Sequence, residues 1–208
     1  MNIFGSTFSN KKVLITGHTG FKGVWLAQWL KLLGADVTGL SLSVPTIPAH
    51  YDYIDKSTLS EDVRIDICHL NKMIGFVREL QPDFVFHLAA QAIVTKSFDC
   101  PVETMAVNAL GTVNVLEALK RLQKSVVVVM ITSDKVYDNA EWPWGYRETD
   151  RLGGGDPYSA SKGMAELAIN GYLKSYFNSA DGNVQLAIAR AGNVIGGGDF
   201  AKDRLVPD

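Results

Sequence analysis

Cysteine is nearly missing: Cys68 and Cys100 are the only two in 208 residues, too few for a metal cluster or a disulfide framework. Residues 1–10 have neither a basic start nor a long apolar stretch, so no secretory leader is legible and the two cysteines read as thiols in a reducing cytoplasm. An excess of one charge is missing too. Twenty Lys and Arg stand against twenty-two Asp and Glu, for a formal net charge of −2. With no dense basic run, a nucleic-acid footprint is excluded. The longest uninterrupted apolar run is residues 126–131, far short of the roughly 20 residues of a membrane helix, so it reads as a buried strand. His18, His50, His69 and His87 lack metal-ligand spacing, so no metal is expected, and His87 reads as a core histidine with its polar needs met.

What is present is a core: 47% of residues are apolar and 20% charged, enough for one folded unit with no sign of disorder. Apolar runs of strand length alternate with segments of helical period, the pattern of βαβ units and a parallel sheet. Strands are expected at 12–16, 36–40, 63–67, 84–88, 125–132 and 184–189. Helices are expected at 20–33, 70–80, 104–122 and 158–177. The first helix carries Trp25, Leu26, Trp29, Leu30 and Leu33 along one stripe and ends at Gly34, and Pro82 stops the second. Segments 41–62 and 138–156 break the rhythm and read as loops over a site, because each follows a strand. Trp142 and Trp144 either stack on a ligand or fold onto their own loop. After the sixth strand the chain runs through Gly196-Gly197-Gly198 to Asp208 without a further packing element. It reads as cut short: a doubly wound, Rossmann-type α/β domain over 1–190, the start of a substrate-binding region over 191–208, and the rest of that region largely absent.

Between the first strand and helix lies Thr16-Gly17-His18-Thr19-Gly20-Phe21-Lys22-Gly23. Gly17 suits the tight turn, Gly20 lets backbone approach a pyrophosphate, and Gly23 lets the helix pack on the strand, with the helix N-terminus toward the anion. An acidic residue normally accepts the ribose 2′-hydroxyl about 20 residues beyond the first glycine. The second strand instead ends Gly39-Leu40-Ser41-Leu42-Ser43, with no acid and no Arg for a 2′-phosphate, and the reading is NAD rather than NADP. Ser41 and Ser43 fit either a ribose contact or an ordinary loop.

Tyr158-Ser159-Ala160-Ser161-Lys162 opens a helix, and four-residue spacing puts the phenol and the amine on one face. A phenol of pKa about 10 is a poor base at neutral pH unless a nearby ammonium favours its anion, and Lys162 is expected to do so. Tyr158 then takes a hydroxyl proton as hydride leaves the same carbon.

The three glycines, the His87-Leu88-Ala89-Ala90 strand end, Asn108 and the Tyr158/Lys162 pair together resemble the extended short-chain dehydrogenase/reductase family over nearly the whole chain. That resemblance implies an NAD site formed by Gly17, Thr19, Gly20, Phe21, Lys22, Gly23, Ser41, Asp66, Ile67, Leu88, Ala89, Ala90, Gln91, Asn108 and Thr132, with Tyr158 and Lys162 at the nicotinamide end. It implies a homodimer or higher homo-oligomer, through the helices 104–122 and 158–177. A sharper resemblance lies in Thr132-Ser133-Asp134-Lys135-Val136-Tyr137 and in the run from Arg190 to Phe200. Both are similar to the sugar-nucleotide 4,6-dehydratases, where the strand-end motif is Thr or Ser, Asp, then Glu; the branch acting on CDP-glucose carries Lys in the last place, here Lys135. Gln91, Ser133, Arg190 and Asn193 are then expected to touch a nucleotide-sugar substrate.

The implied chemistry uses each group. Oxidation at carbon 4 makes a ketone that acidifies the carbon 5 proton, and elimination of the 6-hydroxyl follows. Tyr158 accepts the 4-hydroxyl proton with Ser133 hydrogen-bonded to the same oxygen, Lys135 removes the carbon 5 proton, and Asp134 protonates the leaving group. Lys135 must be neutral to do this, through burial or a nearby cation. A 4-epimerase needs Tyr158 and Lys162 but not the Asp134/Lys135 pair, and a dinucleotide-binding sensor needs no turnover at all. The sequence leaves both open.

Overall fold

Strand β1, Lys12–Thr16, is the centre from which the architecture is built. Its side chains alternate between two faces, as a pleated strand requires. Val13 and Ile15 join Ala27, Leu30, Ala35 and Val37 in one apolar cluster, while Leu14 joins Met73, Val77, Leu116, Leu119 and Ile169 in another. A strand buried on both faces belongs inside a sheet covered by helices on both sides. The computed structural model, which describes residues 4–178 and 182–204, has that form. Six parallel strands run in the order β3-β2-β1-β4-β5-β6, the doubly wound arrangement expected. They are β1, β2 (Asp36–Ser41), β3 (Glu61–Arg64), β4 (Phe84–His87), β5 (Val126–Ile131) and β6 (Val184–Ala189). Among the described residues no helix is long and apolar enough to cross a membrane.

Helix α1, Phe21–Leu32, covers one face of the sheet, but not by the expected stripe. Its buried residues are Gly23, Val24, Ala27 and Leu30, whereas Trp25 and Trp29 are about half exposed, at 51% and 49%. A Cβ on Gly23 would sit 2.3 Å from the Gly17 carbonyl oxygen, so helix and glycine turn touch backbone to backbone with no room for a side chain there. The indoles turn outward, Trp25 donating to the Gly197 carbonyl at 2.9 Å and Trp29 meeting Phe4 edge-on. Gly34, at φ +82°, then closes the helix as expected, with the Ala35 N–H returning to the Leu30 carbonyl.

On the opposite face lie α2 (Leu70–Leu80), α5 (Gly111–Lys120) and α6 (Pro157–Tyr176). Two expected elements move by more than one residue. β3 ends at Arg64 instead of running over 63–67, because beyond it the Asp66 carboxylate accepts the Cys68 N–H at 2.8 Å and turns the chain, leaving Ile67 buried without strand pairing. The expected helix 104–122 begins earlier, with α3 (Val94–Asp99) and α4 (Pro101–Met105), and passes through a π-helical turn, Ala106–Leu110, before α5. That turn brings Asn108 inward. Segment 41–62 contains two short 3₁₀ turns, and segment 138–156 is pinned by a bridge between Tyr137 and Leu152. In the latter, Trp142 stacks on Trp144 and leans on Tyr146, so its aromatics fold onto their own loop.

The contact at Gly23 yields the first prediction. Gly23→Ala is expected to destabilise the chain by about 1–3 kcal/mol, the usual cost of overpacking a tight contact. Urea unfolding followed by far-ultraviolet circular dichroism measures it, and an unchanged midpoint would contradict the packing described.

Candidate active site

The carboxyl ends of β1, β2 and β4 open into a cleft of about 460 Å³. Its lining includes Gly17, Thr19, Gly20, Phe21, Lys22, Gly23, Ser41, Asp66, Ile67, Leu88, Ala89, Ala90 and Gln91, so these of the residues expected around a dinucleotide meet in one place, whereas Asn108, Thr132, Tyr158 and Lys162 do not line it. Gly17 has φ +78° and a Cβ there would lie 2.7 Å from the Ala89 nitrogen, so only glycine lets the turn cross β4 this closely. Gly20 caps α1 in extended conformation without a side-chain cap bond, and no acid stands in the first turn. The helix's first N–H groups are thereby left for an anion. Lys22 adds a cation; burial, and then Arg204, lower its affinity for a proton. After β6 the chain returns over the cleft, and Gly198, Asp199, Phe200, Ala201 and Arg204 help to line it.

Where β2 ends without an acid, the structure places one a layer behind. The Ser41 hydroxyl lies 3.0 Å from His18 Nδ1, and His18 Nε2 lies 2.9 Å from Asp62 Oδ1. Sequence inspection had left His18 as one of four scattered histidines; the signal for its burial is Gly39, where a Cβ would come within 2.4 Å of the imidazole. Segment 41–62 thus lines the cleft as expected, whereas 138–156 does not supply any of its lining.

Helix α6 carries the second group of residues. Asp156 caps it by accepting the Ser159 N–H at 2.9 Å, and Pro157 occupies the first turn, which fixes where Tyr158 emerges. Tyr158, Ser161, Lys162 and Glu166 are all buried. Asn108, delivered by the π turn, donates to Ser161 Oγ at 2.9 Å and to the Gln91 carbonyl, and accepts from the Gln91 N–H at 2.8 Å. It ties α6 to the β4 end of the cleft. Beside this tie His87 bonds Thr16 and Thr112 through its two ring nitrogens, and burial holds it neutral with a pKa near 3.

The electrostatics of the pair differ from expectation. Burial holds Lys162 down to about 8, and the neighbouring Lys22 charge works the same way. Burial also raises the Tyr158 phenol above its ordinary value, against the Ser133 hydroxyl and the Arg204 charge, which favour the phenolate. Lys162 Nζ sits 5.9 Å from the Tyr158 ring centre. Desolvation therefore outweighs the help expected from Lys162, an ammonium that burial has itself weakened.

Ser133 is buried at the end of β5, with its hydroxyl toward Asp134 Oδ1 at 3.1 Å and accepting the Lys135 N–H. Asp134 and Lys135 follow in a short 3₁₀ turn and are exposed, as is Asn193. Two expected contacts are reassigned. Thr132 turns its hydroxyl away, donating to Glu166 Oε1 at 2.6 Å. Arg190 donates through Nε to the same oxygen at 2.7 Å and through a terminal nitrogen to Oε2, and it also reaches the Glu148 carbonyl. Its guanidinium lies over the Tyr137 ring. Glu166, wholly buried, escaped the sequence reading, although it lies two helical turns beyond Tyr158 on the same face.

A family model described as GDP-mannose 4,6 dehydratase matches residues 14–181. The chain belongs to that family. A curated CDP-glucose 4,6-dehydratase of Salmonella typhimurium is 49% identical over 204 residues, covering 97% of this chain and 57% of the relative. Among solved structures, an NAD-dependent NDP-hexosamine 5,6-dehydratase of tunicamycin biosynthesis superposes with a TM-score of 0.78 at 27% identity, over 95% of this chain and 59% of that one. A dTDP-glucose 4,6-dehydratase of Streptomyces venezuelae superposes at 0.80 over 94% and 60%, with 24% identity, a likeness of fold. The chain therefore spans a little over half the length of these family members.

The buried Lys162 gives a pH-dependent prediction. Its folded pKa of about 8 lies below the unfolded value of about 10.4, so between them the unfolded chain binds more protons and stability rises with pH. Lys162→Met has no such proton. Melting temperatures from pH 7 to 10 should show wild type gaining on the variant above pH 8; a constant difference would mean that Lys162 is not desolvated.

Proposed function

We propose that the intact protein is an NAD-dependent sugar-nucleotide 4,6-dehydratase acting on CDP-glucose, with residues 1–190 as its dinucleotide-binding part and 191–208 as the opening of its substrate region. The observation that carries this reading is Lys135, which follows Ser133 and Asp134 at the end of β5 on the side of the sheet's edge where Tyr158 is buried. An epimerase has no need of that acid-amine couple, and a sensor has no need of a buried Tyr/Lys pair beside it. The 49% identity to a CDP-glucose 4,6-dehydratase supports the same substrate.

The cleft fits the cofactor on steric and electrostatic grounds. Side chains at Gly17 and Gly23 would fill the cradle, the α1 N-terminus is uncapped, and Lys22 lies beside it. Ser41, Asp66, Ile67 and residues 88–91 would hold the adenosine and central portions, and Lys162 the nicotinamide ribose. When bound, NAD supplies the acceptor for the carbon 4 hydride and the donor that returns it to carbon 6. The protein's own groups do the rest. Tyr158 takes the 4-hydroxyl proton, and Ser133 steadies the same oxygen. Lys135 removes the carbon 5 proton made acidic by the new ketone, and Asp134 protonates the departing 6-hydroxyl. The net change is loss of one water from glucose, leaving a 4-keto-6-deoxy sugar.

We also assign the exposed apolar residues Val102, Leu110, Met164 and Leu167, carried by α4, the π turn and α6, to a homodimer contact, following the family resemblance. A reducing cytoplasm suits the free Cys68 and Cys100.

The full-length protein tests the assignment. With NAD and CDP-glucose, wild type should form a ketosugar with its characteristic ultraviolet absorbance in alkali. Lys135→Met should bind NAD within about twofold of wild type yet lose on the order of a hundredfold or more in product formation, the scale of a general base. Full turnover by that variant would remove Lys135 from the mechanism, and faster turnover of GDP-, UDP- or dTDP-glucose would overturn the substrate.

A further inference from the structure

One ion pair lies outside the chemistry described above. Glu166 is wholly buried, a placement that an unpaired carboxylate does not tolerate. Its two oxygens receive three donors: the Thr132 hydroxyl and Arg190 Nε on Oε1, and a terminal Arg190 nitrogen on Oε2. Those partners come from different places. Thr132 follows β5, Arg190 follows β6, and Glu166 lies on α6, eight residues from Tyr158 and four from Lys162. Arg190 extends the connection through the Glu148 carbonyl and the face of the Tyr137 ring, 4.7 Å away. Backbone bonds flank it on both sides, from Thr132 N–H to the Ala189 carbonyl and from Asp134 N–H to the Ala191 carbonyl.

Thr132 immediately precedes Ser133, Asp134 and Lys135. A movement of Thr132 therefore carries the whole acid-base turn, while Glu166 is fixed to the helix that holds Tyr158. We propose that the Thr132–Glu166–Arg190 network is a positioning strut that sets the distance between the Ser133–Lys135 turn and the Tyr158/Lys162 pair. None of the three touches the reacting atoms. They act on rate through Ser133, Asp134 and Lys135. Bidentate geometry suits this role, because a guanidinium fork fixes direction as well as distance. The inference rests on the dehydratase reading for its kinetic consequence, but the strut itself is a statement about local geometry.

Thr132→Val removes the hydroxyl while leaving the Glu166–Arg190 pair in place, and Thr132→Ser keeps the hydroxyl. In full-length enzyme, Thr132→Val should lower kcat about 10- to 100-fold, the cost of misplacing groups by around an ångström. KM for CDP-glucose and Kd for NAD should stay within about twofold. Because elimination needs the turn to meet the sugar held by Tyr158, NADH absorbance should accumulate during turnover, and Thr132→Ser should restore most of the rate. Hydrogen exchange in NAD-free protein gives an activity-independent measure: amides of 132–137 should exchange about tenfold faster in Thr132→Val, with β1 and β4 unchanged. Wild-type kcat and wild-type exchange in Thr132→Val would overturn the strut. So would a kcat loss that KM, Kd and melting temperature share, since that is plain destabilisation. If wild type converts no sugar nucleotide, the dehydratase reading fails, and the exchange pattern alone decides the strut.

Discussion

Helix α6 places an amine and a carboxylate inside the protein, and much of the surrounding structure follows from the cost of keeping them there. Charged groups enter an interior only when paired or when they surrender charge. Glu166 takes the first course, with Arg190 and Thr132. Lys162 takes the second in part, its proton held less tightly because burial and Lys22 disfavour the ammonium. The two solutions lie one helical turn apart. They give α6 a supporting end and a reactive end, and between them they fix what β5, β6 and the π turn can do.

The reactive end is coupled to the cleft through polar contacts rather than apolar packing. Asn108 bonds both Gln91, at the cleft, and Ser161, beside Tyr158, and it reaches them because a π turn interrupts the helix there. His87, held neutral between Thr16 and Thr112, fills the space between β1 and α5 without adding a charge near Lys162. A protonated imidazole there would push Lys162 further from the charged state. Neutral hydrogen-bonding groups are thus placed beside two cations, Lys162 and Lys22, that burial has weakened.

The parts legible in the sequence are those where a local pattern and the tertiary environment agree. β1, α2 and β6 have their expected bounds because each is a short apolar or amphipathic run ended by Gly, Pro or a loop residue. The glycine turn was readable because it needs backbone contact that only glycine permits, as Gly17 against Ala89 shows. In α1 the expected apolar stripe is met at Leu26 and Leu30, but the buried face is the one with Gly23, Val24 and Ala27, so Trp25 and Trp29 turn outward. β3 was misplaced because Val63, Ile65 and Ile67 alternate like a strand while the hydrogen bond from Cys68 to Asp66 ends it early. Glu166 and the true place of Arg190 were hidden. Charged residues read as surface or ligand contacts until a partner is known, and this partner is 24 residues away. The helical spacing 158, 162, 166 was the available clue.

Asp134 and Lys135 are exposed, which sets them apart from the other residues at the end of α6 and β5. Tyr158 and Lys162 are already desolvated, but the couple on the β5 turn is not. For the proposed elimination, the group that would cover that turn is the substrate itself. On this reading one part of the protein prearranges oxidation, and enclosure of the turn permits elimination. Because Thr132 anchors the turn to α6 from beneath, the turn is already in place when substrate meets it.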